Sequence, residues 1–111
     1  MKSDRFYLEH IADSIRAIES YVAGGRDVFL RERIVQDAVI RNFEIIGEAA
    51  GKLSPEPKAT APAPWTKIVA FRNRLIHAYW GVDLFLVWDV ISKDLRPLRE
   101  EVERLLAKRG D

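Results

Sequence analysis

The sequence predicts an all-α protein, an up-and-down bundle of four to five helices in a single domain spanning residues 1–111. Apolar residues recur at steps of three and four through most of the chain, which is the period of a half-buried helix. No segment reads as a strand, and no internal repeat or linker marks a second domain. Glycine and proline fall mainly at a few points separated by helix-sized intervals, where they act as punctuation.

In the first segment Tyr7, Ile11, Ile15, Ile18 and Val22 form one stripe, and Gly24-Gly25 is placed to stop the helix. In the second, Val35, Val39, Phe43, Ile46, Ala50 and Leu53 make another stripe. Ile34, Ala38, Ile45 and Ala49 widen it, so this helix is expected to be buried on more than one side. Residues 54–64 carry four of the chain's five prolines and read as an extended loop. Pro64 suits the first turn of a third helix running from Trp65 to about Tyr79. Trp80-Gly81-Val82 reads as a turn, with Asp83 the N-cap of a fourth helix. That helix shows the most regular seam: Leu84, Trp88, Ile91, Leu95, Leu98, Val102 and Leu105 alternate steps of four and three. Pro97 lies inside it and predicts a kink or break near residues 94–96.

Composition narrows the function. With 48% apolar residues the chain has material for a core, and 18 basic residues stand against 17 acidic, a net charge of +1. This excludes a disordered acidic tail and a protein that grips nucleic acid through bulk charge, so any such contact needs a local patch. There are no cysteines, which excludes disulfide scaffolds, zinc–thiolate sites and iron–sulfur clusters. Only His10 and His77 are present, too few for a metal site built mainly of histidine. No run of eighteen apolar residues occurs, and the first twenty residues carry charges throughout. No membrane span or export signal is expected, and the cytoplasm is the expected location.

Chemistry concentrates in WTKIVAFRNRLIHAYWGVD, residues 65–83, which places Arg72, Asn73, Arg74, His77 and Tyr79 within eight positions. On a helix Asn73 and His77 are neighbours at i and i+4, while Arg72 and His77 differ by roughly 140°. Histidine exchanges protons near neutral pH. Arginine offers a planar fork of donors that matches phosphate. Asparagine orients a phosphate oxygen, a hydroxyl or the imidazole. The set suits a phosphodiester on which negative charge builds during reaction. RNA carries its own nucleophile, the 2′-hydroxyl, and its cleavage needs a base, a cation and an acid but no metal. One histidine per site makes a poor acid–base pair, whereas two copies facing across a two-fold axis supply two, so this reading carries a homodimer with it. The same residues also fit a plainer account, in which Arg72 and Arg74 are surface charges and His77 caps a helix C-terminus.

Arg72, four residues, His77, Ala78 and Tyr79 together resemble the R-x4-H-x-Y motif of HEPN-domain proteins. The chain is similar in particular to the HepT ribonuclease toxins (the DUF86 family) of HepT–MntA toxin–antitoxin systems. QDAVIRNFEIIGEAAGKLSPE (residues 36–56), APW (63–65) and RNRLIHAYWGVDLFLVWDVISKDLRPL (72–98) extend the resemblance in order, from about Phe6 to Leu106. The resemblance implies an all-α, dimeric, metal-independent endoribonuclease without a cofactor, its paired motifs lining a cleft between protomers. Carried over by position, Arg72 and His77 would be the catalytic pair, with Asn73 the polar residue that follows the arginine. Tyr79 would be the tyrosine to which an MntA-like nucleotidyltransferase antitoxin adds AMP.

Other residues have weaker claims. Asp37, Arg41, Glu44 and Glu48 form a polar stripe on the second helix. It is either a solvated face laced with ion pairs or a support for Arg72 or His77. Lys67, Arg72 and Arg74 suggest a small basic patch, Trp80 adjoins the motif as a possible base-stacking ring, and His10 reads as exposed and idle. A reading from another class also stands beside the ribonuclease: a non-catalytic helical module that docks a nucleotidyltransferase.

Overall fold

The computed structural model describes residues 2–61, 63–78 and 81–109. All regular structure among them is helical, in the order α1 (Asp4–Tyr21), α2 (Arg26–Arg31), α3 (Arg33–Gly51), α4 (Pro55–Thr60), α5 (Trp65–Ile76), α6 (Leu84–Lys93) and α7 (Leu95–Ala107). The periodic segments account for α1, α3, α5 and the pair α6–α7; α2 and α4 are short additions that the periodicity did not signal.

Each boundary has a local cause. Ser3 caps α1, its hydroxyl accepting from the amide of Phe6 at 3.2 Å. After α1 the chain turns through Gly25, whose φ of +96° is open to glycine at little cost. Asp83 is the expected N-cap of α6 and accepts from the amides of Phe85 and Leu86 at 3.1 and 3.2 Å. The break expected near Pro97 falls at Asp94: α6 ends at Lys93 and α7 starts at Leu95, so Pro97 occupies a first-turn position where its missing N–H costs nothing. The same rule corrects the expectation for residues 54–64. Pro55 and Pro57 open α4 instead of preventing it, because the first turn of a helix has no intrahelical partner for those amides. The third helix is shorter than expected, ending at Ile76 rather than Tyr79.

Helix α3 is the central element. It packs against α1 on one side and α5 on the other, α1 also packs on α7, and α2 bridges α3 and α6. The core takes Leu8, Ile11, Ile15 and Ile18 from α1, Val39, Phe43, Ile46 and Ala50 from α3, and Leu98, Val102 and Leu105 from α7. Each large side chain buried in this way contributes roughly 1.5–3 kcal/mol relative to exposure. Ile34 departs from the second-helix expectation. It sits in the first turn of α3 and is 85% exposed, so the widened stripe is not buried along its whole length.

Long-range polar contacts hold the ends of the chain together. The carboxylate of Asp4 accepts hydrogen bonds from both the amide and the hydroxyl of Ser54 and pairs with Arg109 at 3.3 Å. Arg109 also pairs with Glu56 at 3.4 Å, and Arg5 donates to the Arg109 carbonyl at 3.0 Å. Across the α1–α7 contact, Arg99 donates to Glu19 at 2.9 Å. No described helix is long and apolar enough to cross a membrane.

Candidate active site

Helix α5 carries the motif, and its two faces meet different surroundings. One face turns to α3. There Arg72 is half-buried, its side chain 29% exposed. Its Nη1 donates to the Asn73 side-chain oxygen at 2.9 Å, and its Nη2 lies 4.0 Å from the Glu48 carboxylate. The Nε is shielded from solvent and makes no hydrogen bond. The guanidinium is therefore held through its outer nitrogens on a side chain that stays partly exposed, so an incoming anion would meet it by competing with Asn73 and Glu48.

The contact beneath Arg72 is made by Gly47. A Cβ placed on Gly47 would stand 2.1 Å from Arg72 Cβ and 2.7 Å from its Cγ. Helices α3 and α5 thus touch almost backbone to backbone where the arginine emerges. Sequence reasoning passed over Gly47. A glycine inside an otherwise apolar helical stripe is the one signal that marks it.

His77 stands where α5 stops. It is the C-cap residue, with φ −102° and ψ 7°, and it is exposed. The ideal-helix angle between Arg72 and His77 therefore does not govern their relative placement, because His77 is off the regular helix. Gly81, at φ +149°, then turns the chain toward α6. Tyr79 and Trp80 lie outside the described residues.

The polar stripe on α3 divides. Asp37 pairs with Arg33 at 3.5 Å and Arg41 with Glu44 at 3.8 Å, both within α3. Glu48 alone among these four reaches the motif, and it also lies 3.9 Å from Lys52. The basic patch expected from Lys67, Arg72 and Arg74 is split between faces. Lys67 and Arg74 lie beside a largely apolar cavity of about 240 Å³ between α5 and α6–α7, while Arg72 faces α3. At that cavity Lys67 pairs with Asp94 at 3.2 Å. His10 is exposed, its ring edge-on to Phe6 at 4.5 Å. Among the described residues, no group of three or more histidines and carboxylates is placed to hold a metal ion.

The family profile described as "Ribonuclease HepT-like" matches residues 11–105, from the core of α1 to the last turns of α7. The chain belongs to the HepT-like ribonuclease family. Relatives agree over most of the chain. A protein of Thermococcus cleftensis named "Probable ribonuclease HepT" is 38% identical over 109 residues, covering 94% of this chain and 96% of the relative. A protein of Caldanaerobacter subterraneus, named as a proposed RNase, is 34% identical over 110 residues, covering 97% and 98%. A protein of Methanocaldococcus jannaschii, whose name joins gamma-glutamylcyclotransferase to a proposed RNase, is 41% identical over 107 residues. The match covers 95% of this chain but 48% of that relative, so the chain spans about half its length. No solved structure matches the chain. The all-helical fold and the HepT-like ribonuclease family anticipated from the motif are both established by these findings.

Proposed function

We propose that this HepT-like domain is a metal-independent endoribonuclease, acting as a homodimer and serving as the toxin of a toxin–antitoxin pair in the cytoplasm. The observation that carries the reading is the posture of Arg72 on the motif helix. Its guanidinium is held by Asn73 and by Glu48 of α3 on a side chain that stays partly exposed, five residues before a solvent-exposed histidine.

In this mechanism one imidazole removes the proton from the 2′-hydroxyl adjacent to the scissile phosphate. The resulting oxyanion attacks phosphorus, and the P–O5′ bond breaks as the 5′ oxygen takes a proton from the His77 of the second protomer. Arg72 donates hydrogen bonds to the non-bridging oxygens as charge accumulates on them. Asn73 holds the guanidinium in register. The products are a 2′,3′-cyclic phosphate and a 5′-hydroxyl. Glu48 balances the charge of Arg72 until RNA arrives, while Asp37, Arg41 and Glu44 serve as the solvated face of α3. Arg74 and Trp80 are further candidate contacts for the strand.

Tyr79 follows His77 by two residues. AMP added there by an MntA-like nucleotidyltransferase would add a bulky anion to the motif, excluding RNA by size and by charge. The test has two arms. Protein expressed without a partner should cleave RNA, and Arg72→Ala should lose that activity while keeping its helical content. Incubation with a nucleotidyltransferase of this type and ATP should add the mass of AMP to wild type but not to Tyr79→Phe, and should silence cleavage. A folded, unmodified dimer that cuts none of several RNAs would instead favour a non-catalytic module that docks the transferase.

A further inference from the structure

We infer that Gly47 is a positioning residue for Arg72: its lack of a side chain sets how closely α5 approaches α3 and therefore where the guanidinium stands. The inference rests on the ribonuclease reading for its catalytic consequence, though not for its geometry. Glycine is among the poorest helix formers, and Gly47 lies within a helix of 19 residues, a full turn before its end, so local preference does not account for it. The tertiary contact does. The hypothetical Cβ would overlap Arg72 Cβ at 2.1 Å and Cγ at 2.7 Å, and would press on the Ile68 carbonyl oxygen at 3.2 Å. Cβ is fixed by the backbone, so Arg72 cannot escape by changing rotamer. Only a shift of α5 relieves the overlap, and that shift carries the guanidinium with it.

An internal comparison isolates the effect. Gly51 lies one turn further along the same helix and faces the same neighbour. A Cβ there would meet only Val69 Cγ2, at 3.9 Å, an ordinary contact. Gly51→Ala therefore changes the same residue type on the same helix without moving Arg72. Displacement of a catalytic group by about 1 Å can cost roughly 100-fold in rate.

The experiment compares Gly47→Ala with Gly51→Ala in the full chain. In EDTA, Gly47→Ala should lower kcat/KM for RNA cleavage by about 100-fold, while Gly51→Ala stays within about twofold of wild type. By NMR, the shielded Arg72 Nε–H should exchange at least about tenfold faster in Gly47→Ala and keep its wild-type rate in Gly51→Ala. Equal effects of the two substitutions, or an unchanged Arg72 Nε–H in Gly47→Ala, overturn the inference. If Gly47→Ala does not fold, the double variant with Arg72→Gly, which removes both clashing carbons, should recover the fold; continued unfolding counts against the inference. A wild type that cuts no RNA refutes the ribonuclease reading, and the NMR comparison still decides whether Gly47 places Arg72.

Discussion

Replacing Glu48 with glutamine removes the one carboxylate beside Arg72 among the described residues while nearly preserving its shape. At 4.0 Å, two unit charges attract by about 1 kcal/mol in water and about 4 kcal/mol at an effective dielectric near 20. Exposure decides between these limits. The two side chains are 29% and 57% exposed, and Glu48 also shares its charge with Lys52 at 3.9 Å. The pair therefore belongs to the solvated class, worth about 0.2–1 kcal/mol. A phosphate that docks on Arg72 must displace this interaction, so its loss should lower KM for RNA by up to about fivefold, since about 1.4 kcal/mol corresponds to tenfold. Stability should change by less than about 1 kcal/mol. The assay is a Michaelis series in EDTA at low and high salt. The gain should fade between roughly 10 mM and 1 M ionic strength, as the screening length falls from about 30 to about 3 Å. A raised KM, or a loss of more than about tenfold in kcat, would refute the reasoning and make Glu48 an orienting group rather than a competitor of the substrate.

Two further predictions concern the scaffold. Partial burial works to raise the Asp4 carboxyl, but hydrogen bonds from Ser54 and the charge of Arg109 outweigh it and hold the group below its ordinary value of 3.8. A depressed folded-state pKa contributes stability above the unfolded value and loses it as pH falls through the folded one. Asp4→Asn should therefore cost about 1–2 kcal/mol in urea unfolding at pH 7, with the gap from wild type closing as pH drops below 3.8. Phe29 is fully buried, is the only buried side chain of the short α2, and packs on Trp88 with ring centroids 5.6 Å apart. Phe29→Ala should cost about 3–5 kcal/mol by the same unfolding measurement, and a loss below about 1 kcal/mol would mean that α2 does not anchor α3 to α6.

The parts of this fold that were legible in the sequence are those fixed by local periodicity and capping. The stripes of α1, α3 and α6–α7, the Asp83 cap and the break before Pro97 follow from which backbone groups and side chains must be satisfied within a few residues. Where tertiary context intervenes, local reading fails in definite ways. Pro55 and Pro57 look like helix breakers until their first-turn position is known. Ile34 has the spacing of a core residue, yet no described residue covers it. The tie between Asp4 and Ser54, fifty residues apart, leaves no local trace. At the candidate site the motif was legible as residue types, but its support was not. Gly47 has a role only because α5 crosses α3 at that point, and Glu48 is set apart from the carboxylates of Asp37 and Glu44 by the neighbour it reaches.

The central claim is that Arg72 and His77 cut RNA without a metal, and one assay meets it head-on. Protein expressed alone is incubated with RNA in excess EDTA, alongside His77→Ala, and the product ends are mapped. The account predicts cleavage by wild type that leaves 2′,3′-cyclic phosphate and 5′-hydroxyl ends, with a loss of about 10²-fold or more in His77→Ala. Cleavage that persists in His77→Ala, or that appears only when a divalent metal is supplied, would contradict it.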